Sequence, residues 1–266
     1  MQFFSEYKSY TDTTKNRKVI FEKAGQSFRL ETACFSGDFI DDKRVLIVDT
    51  FDLTCQRVLA PKPLKGSSLK LFLKSRLHAD DNKLSVIYQK CSLNNDEGRA
   101  AYQACLIPDE LYAEQGGKCR SFTSSAAALC GVSKGTLPGK IVFHAYADEN
   151  VTIFTLSADD CIFSARTIPA TGRKDREDEF HMTLAHAVKN SGITPQAVLF
   201  SGIFTQENIQ NKEGLKAYSA SPDGLLENCT IEQFQQIIIP FGAVLNSKTF
   251  DFTPASIKTE KAFQKS

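Results

Sequence analysis

No stretch of this chain approaches the roughly 18 consecutive apolar residues that a membrane-crossing helix needs, so no span is expected within it. The opening Met-Gln-Phe-Phe-Ser-Glu lacks the basic region and the apolar stretch of a secretory signal. An excess of either charge is missing too. Lys and Arg number 32 against 31 Asp and Glu, which leaves no electrostatic case for a nucleic-acid partner. Catalytic signatures are equally scarce. The chain holds no Gly-x-x-x-x-Gly-Lys-Ser/Thr phosphate loop and no Gly-x-Ser-x-Gly elbow. His181 and His186 are five positions apart and do not share a helix face, so the zinc-protease pattern is absent. His144 alternates into a strand and reads as a satisfied core residue.

Eight cysteines are present, none as Cys-x-x-Cys and none at zinc-ligand spacing with a histidine. Most sit inside apolar runs, where cysteine behaves as a small hydrophobe. All eight are therefore expected as free thiols in a reducing cytoplasm. What the chain does have is an ordinary globular composition, 42% hydrophobic and 24% charged, able to form a core without metals. Asn150-Val-Thr and Asn228-Cys-Thr match the glycosylation triplet, which is common by chance.

The C-terminal half carries the clearer pattern. Lys140–Tyr146, Val151–Leu156 and Cys161–Ile168 read as three strands joined by short polar turns, an antiparallel meander. Lys174–Asn190 places Phe180, Leu184, Ala187 and Val188 on one stripe, with acids at its start and Lys189 at its end, and Gly192 ends it. Pro195–Gly202 follows as a short buried strand, parallel to its neighbour because a helix supplies the crossover. A helical piece is expected around Gln206 to Gln210. Thr230-Ile-Glu-Gln233 is a capping box opening a last helix to about Ile238, bent or ended by Pro240.

The N-terminal half repeats the order loosely. Val19–Phe21 and Phe28–Cys34 are strands across a turn at Ala24-Gly25. Arg44–Asp49 and Thr54–Leu59 are expected to pair with each other. A helix over Ser67–His78 carries Leu69, Leu73 and Leu77 on one side. Leu84–Tyr88 and Arg99–Leu106 are strands, Pro108–Glu114 opens a helix, and Gln115–Lys118 is a turn. The expected division is 1–130 and 131–266, with a hinge over Gly131 to Gly139.

A duplicated β-β-β-α-β-α unit resembles the actin and ribonuclease-H-like architecture, an α/β fold. One branch fits further. Arg44–Lys62, followed by a Leu-rich helix and then Leu84–Tyr88, is similar to a stretch of the L-type platform proteins of type II secretion, and Ala101–Leu111 continues in register. Ile141–Ile168 resembles that family's next meander, with Phe163 and Arg166 on its last strand. Phe250-Asp-Phe-Thr-Pro254 resembles the closing tail of the M-type pilus proteins, and the bitopic platform protein of type IVb, bundle-forming pili is the nearest member. The resemblance covers about residues 15 to 255 and implies a cytoplasmic domain at a bacterial inner membrane. The implied partners are the assembly or secretion ATPase and other inner-membrane platform proteins. The membrane anchor is expected outside this chain, and the polar, basic Lys258–Ser266 reads as a juxtamembrane end.

Actin-like ATPases cradle phosphates with two hairpin turns in which glycine admits backbone N–H groups and an aspartate organises Mg²⁺. The first counterpart, Lys23-Ala-Gly25-Gln26, has no carboxylate. The second, Ala147-Asp148-Glu-Asn150, has no glycine. On the adenosine side Ser201-Gly202-Ile-Phe204 places a β-branched residue where a nucleobase would lie. With these three departures no cofactor, metal or catalytic residue is expected, and the chain reads as a scaffold. An ATP-binding adaptor of the M type is the alternative, with a sugar- or acid-kinase-like enzyme further behind. The basic stretch Lys62, Lys65, Lys70, Lys74 and Arg76 offers contact with lipid headgroups or an acidic partner, or else a solvated helix face.

Overall fold

A computed structural model describes residues 7–12, 17–34, 45–48, 55–77, 83–91, 98–110, 121–159, 161–170, 172–206, 214–246 and 250–251. Three sheets organise them. The first has seven strands in the order β14-β3-β2-β1-β4-β8-β15, built from β1 (Tyr7–Asp12), β2 (Arg17–Ala24), β3 (Ser27–Cys34), β4 (Val45–Val48), β8 (Ser121–Ser124), β14 (Leu226–Glu227) and β15 (Phe250–Asp251). The second has five in the order β11-β10-β9-β12-β13: β9 (Ile141–Ala147), β10 (Val151–Ala158), β11 (Cys161–Pro169), β12 (Ala197–Gly202) and β13 (Lys216–Ser219). The third holds β5 (Cys55–Pro61), β7 (Arg99–Pro108) and β6 (Leu84–Lys90).

The two larger sheets share one plan. Each starts with an antiparallel meander, β1-β2-β3 or β9-β10-β11, and then adds parallel strands beside the meander's first strand. In the second sheet those strands are β12, parallel to β9 as the helical crossover requires, and β13. In the first they are β4 and β8. The duplicated α/β plan expected from the sequence is thus present, but the first copy begins one strand earlier than the sequence suggested. β1 escaped notice because Tyr7-Lys-Ser-Tyr-Thr-Asp12 is polar and shows no apolar alternation.

One further expectation fails. Arg44–Asp49 and Thr54–Leu59 do not pair. β4 has β1 on one edge and β8 on the other, so no edge remains for β5, which pairs with β7 in a different sheet. The three-stranded sheet and its helix α1 (Gly66–Arg76) are therefore inserted between β4 and β8. Residues 131–139, the expected hinge, are largely helical. Helix α2 (Ser125–Thr136) runs through most of them, N-capped by Ser124, whose Oγ accepts from Ala127 N at 3.1 Å. The helix expected over 108–114, the Gln115–Lys118 turn and the tail beyond Asp251 lie almost wholly outside the described residues.

Helix α3 (Arg173–Ser191) matches the expected amphipathic helix and ends at Gly192, which takes φ +67°. Helix α4 (Ile231–Leu245) opens on the expected capping box. Gln233 N donates to Thr230 Oγ1 at 3.2 Å and Thr230 N to Gln233 Oε1 at 3.0 Å. It does not stop at Pro240. A mid-helix proline costs about 3 kcal/mol, whereas Ile239, Phe241, Ala243 and Val244 beyond Ile238 are all buried. At about 1.5 to 3 kcal/mol for each larger side chain, burial outweighs the proline.

Helices α2 and α4 cross closely. A Cβ on Gly131 would lie 2.2 Å from the Gly242 carbonyl oxygen, and a Cβ on Gly242 would lie 2.1 Å from that of Ala128. These glycines admit the helices to each other; they are not loop punctuation. Asn246 Nδ2 donates to the Ala127 carbonyl at 2.6 Å across the same contact. Behind it lies the main core, where Phe21, Phe28 and Phe234 surround Phe241.

The thiol expectation also fails in one place. Cys91, Cys130, Cys161 and Cys229 are in no disulfide, but Cys105 on β7 is disulfide-bonded. Spacing along the chain could not reveal this, because strand pairing brings distant positions together: positions 55 and 105 are register partners in the β5–β7 ladder. An argument for a reducing compartment from eight reduced thiols therefore lapses.

Candidate functional site

The two expected landmarks of the second sheet, Asp148 and Gly202, come together. β12 runs beside β9 with Gly202 opposite Ala147, which sets Gly202 next to the β9–β10 turn. At that turn Asp148 bonds to its own hairpin. Its Oδ1 accepts from Asn150 N at 2.8 Å and Val151 N at 3.0 Å, and its Oδ2 accepts from Tyr146 Oη at 2.6 Å. Backbone N–H groups at such a tip are what a phosphate would meet. Here two of them are held by a carboxylate of the protein itself.

Gly202 sits at φ +62°, and a Cβ there would lie 2.0 Å from the Ala147 carbonyl oxygen. Glycine is required by this close approach of β9, whether or not any ligand binds. The Gly202 N–H donates to Gln235 Oε1 at 2.6 Å, and Gln235 Nε2 donates to the Ala220 carbonyl at 2.9 Å. The segment after it is a 3-10 turn, Ile203–Gln206; the rest of the helical piece expected to Gln210 lies outside the described residues. Phe204 turns inward and packs 5.9 Å from both Phe154 and Phe200, ring centre to ring centre. The Ser201–Phe204 segment is thereby anchored in the core.

Gly25 does not join this pair. It occupies the β2–β3 turn at φ +65°, with nothing within 4 Å of where a Cβ would be. By the repeat of the two sheets, the counterpart of the Asp148 turn is the β1–β2 connection, residues 13–16, which lies outside the described residues. The Gly25 turn instead matches the β10–β11 turn at Asp159. The mismatch follows directly from the unrecognised β1.

Behind Gly202 runs a polar chain that the sequence did not reveal. His144 is completely buried, its Nε2 2.7 Å from Ser201 Oγ and its Nδ1 3.2 Å from the Leu129 carbonyl and 3.0 Å from Ser133 Oγ. A carbonyl only accepts, so Nδ1 carries the proton and Nε2 accepts from the Ser201 hydroxyl. Burial lowers the His144 pKa to about 4, opposed by the Leu129 carbonyl. Ser201 is also fully buried, so no substrate reaches this serine–histidine pair. It ties α2 to β9 and β12, the satisfied core role expected of His144. Tyr146, two residues before Asp148 on a strand, was the one partner legible from period-two spacing; Gln235 and Ser133 arrive through tertiary contacts alone.

Arg166 on β11 holds α3 to the sheet, its Nη1 2.8 Å from Glu179 Oε2 and 2.9 Å from Thr183 Oγ1. A cavity of about 370 Å³ lies elsewhere, between β3 and α4, lined by Leu30, Ala33, Asn228, Gln233 and Ile237 among others. Among the described residues no group of three or more His, Cys, Asp or Glu side chains converges as a metal site would.

No protein-family model matches the chain, and no curated protein matches it. Solved structures do. The PilM–PilN type IV pilus biogenesis complex superposes with a TM-score of 0.61 at 9% identity, over 90% of this chain and 96% of the other. A Bacteroides thetaiotaomicron protein of actin-like ATPase fold and unknown function gives 0.48 at 12% identity, over 91% and 96%. The ethanolamine utilization protein EutJ of Carboxydothermus hydrogenoformans gives 0.38 at 10% identity, over 91% and 90%. With two sheets that repeat one strand plan, and with this likeness across nearly its whole length, the chain has the actin-like fold.

Proposed function

We propose that this chain is a non-catalytic scaffold domain of a type IV pilus or type II secretion assembly platform, held at the cytoplasmic side of an inner membrane. There it recruits the assembly ATPase and binds neighbouring platform proteins. The observation that carries the reading is the Asp148 carboxylate occupying the N–H groups of its own turn. A nucleotide phosphate would have to displace a charged group already bonded by three donors, and like charges would repel. A domain of this fold with that turn closed is retained for its surfaces. The likeness to PilM, held with PilN in a pilus biogenesis complex, supports a protein partner.

The test has two arms. ATP with Mg²⁺ at 100-fold excess over a dissociation constant near 10 μM would stabilise a binding fold by about 2.7 kcal/mol. The expected result is no shift in melting temperature; a clear shift would make the chain an ATP-binding adaptor instead. In the second arm the chain is expected to co-purify with the N-terminal, non-catalytic region of its assembly ATPase. The exposed acids at the start of α3, Asp175 and Asp178, offer the ATPase a charged rim. Their reversal to lysine is expected to slow association more than it speeds dissociation. Separation of the two proteins at tens of micromolar in low salt would end the ATPase-docking reading.

A further inference from the structure

Three large apolar side chains stand out as exposed among the described residues: Leu71, Met182 and Ile231, at 69%, 51% and 63%. Their surroundings differ. Met182 sits on α3, whose first turns mix Arg173, Lys174 and Arg176 with Asp175, Glu177, Asp178 and Glu179. Ile231 is followed at once by Glu232. Leu71 alone sits on an element without an acid: α1, with the Lys62–Lys65 approach to it, carries Lys62, Lys65, Lys70, Lys74 and Arg76 and neither Asp nor Glu.

Helix stability does not account for this charge. Cations favour a helix C-terminus, which explains Lys74 and Arg76. Lys65 lies at the other end, where the helix dipole opposes it. The N-cap is Lys65, which makes no side-chain cap, and the first turn has no acid. A sequence shaped for the helix alone would place Ser, Asp or Thr there. Local choices that cost stability without local return mark a functional surface.

The geometry of that surface is simple. Leu69, Leu73 and Leu77 bury one side of α1 against Val58, Val86, Ala104 and Leu106. At about 100° per residue, Leu71 projects nearly opposite this stripe, at the crest. Lys70 and Lys74 flank it on one side. On the other Arg76 is held 5.3 Å above the Phe72 ring. The crest is convex. Peptides commonly dock in a groove or along a sheet edge, and the described cavity is lined by residues on and around β3 and α4, none of them from α1. A planar sheet of anionic headgroups needs neither.

We infer that the exposed face of α1 docks on an anionic phospholipid surface, its lysines and arginine meeting the headgroups and Leu71 entering the interface. A basic helix face with an apolar residue among its cations is what such a surface recognises. The inference deepens the platform reading by naming the face turned to the membrane. It can fail independently, since vesicle binding and ATPase co-purification involve different helices.

The chain has no tryptophan, so Leu71→Trp in the full chain gives a single reporter at the crest. Its emission is expected to shift to the blue, and the protein to sediment, with vesicles of equal parts phosphatidylglycerol and phosphatidylcholine. Pure phosphatidylcholine vesicles are expected to do neither. Adding K70E and K74E is expected to weaken vesicle binding by about tenfold or more, with circular dichroism and melting unchanged because both side chains leave the core intact. Should that variant melt early, Lys65→Glu in the preceding turn carries the test, with a smaller loss in the same direction. Absence of sedimentation, or binding that K70E/K74E leaves intact, would overturn the inference. A blue shift with polyglutamate and none with the anionic vesicles would assign the face to an acidic protein and overturn it equally.

Discussion

The five-stranded and three-stranded sheets lie against each other at β11 and β5, yet they obey different rules. β9 and β10 are covered on both faces. Val142, His144 and Tyr146 face α2 and α4, while Phe143, Ala145 and Ala147 face α3 and its Phe180. Burial is then a property of the whole strand, and β9 is buried from Val142 to Ala147. The three-stranded sheet has α1 over one face only, and its other face meets β11 through a mixed seam. There Gln103 Oε1 accepts from Ile162 N at 3.0 Å, Arg57 lies 5.6 Å over the Phe163 ring, and the sulfurs of Cys91 and Cys161 are 3.8 Å apart. The lesson is about allocation. The five-stranded sheet commits both faces of β9 and β10 to packing. The three-stranded sheet, with α1 on one face and β11 on the other, keeps a charged outer helix for other work.

The contrast breaks most sharply where the doubly covered region is tightest. Gly242→Val would drive its side chain into the Ala128 backbone, where even a Cβ comes within 2.1 Å. The expected cost is about 4 kcal/mol or more, read as a fall of roughly 10 °C in melting temperature. Gly131→Ala is the sharper version. Helix propensity predicts a gain of about 1 kcal/mol, but the Gly242 carbonyl 2.2 Å from the new atom makes the net result a loss. A stabilised Gly131→Ala protein would refute the close crossing.

Next comes acid. His144 is neutral in the fold with a pKa lowered to about 4, against an unfolded value of 6.5. The unfolded chain therefore binds more protons between those values. This contribution is fully present above pH 6.5 and is lost as pH falls toward 4, about 3 kcal/mol in all. Urea unfolding at stepped pH measures it, and His144→Gln is expected to flatten that part of the profile. An unchanged profile would mean that burial does not hold the imidazole neutral in the fold.

The smallest effects belong to the three-stranded region and test it within a single helix. Leu73 is fully buried, so Leu73→Ala is expected to cost about 2 to 3 kcal/mol. Leu71, two residues earlier, is 69% exposed, and Leu71→Ala is expected to stay within about 0.5 kcal/mol. Equal losses at both sites would mean that the crest of α1 is covered in the folded chain and that the outer helix is not kept for other work.

Much of this architecture is written locally. The β9-β10-β11 meander, α3 with its Gly192 stop, the parallel return of β12 and the leucine side of α1 each follow from apolar spacing and turn chemistry within a few residues. The capping box at Thr230 likewise needs only four neighbouring residues. Pro240 marks the limit of local rules, since one that ends helices at proline is overruled by the burial of Phe241, Ala243 and Val244.

By itself, then, the sequence determined the elements whose stability comes from neighbours in the chain, and the α/β repeat they compose. Only the tertiary structure decided which strands share a sheet. Polar β1 has its place through pairing with β2 and β4, and β5 leaves β4 because both edges of β4 are taken. It also decided that Gly131 and Gly242 serve a helix crossing, that Cys105 is bridged, and that Asp148 binds its own turn. The physical reason is one of range. Helix periodicity and turn residues act over a few positions, whereas sheet edges, close backbone approaches and hydrogen-bond partners depend on residues tens to hundreds of positions away, which no local window contains.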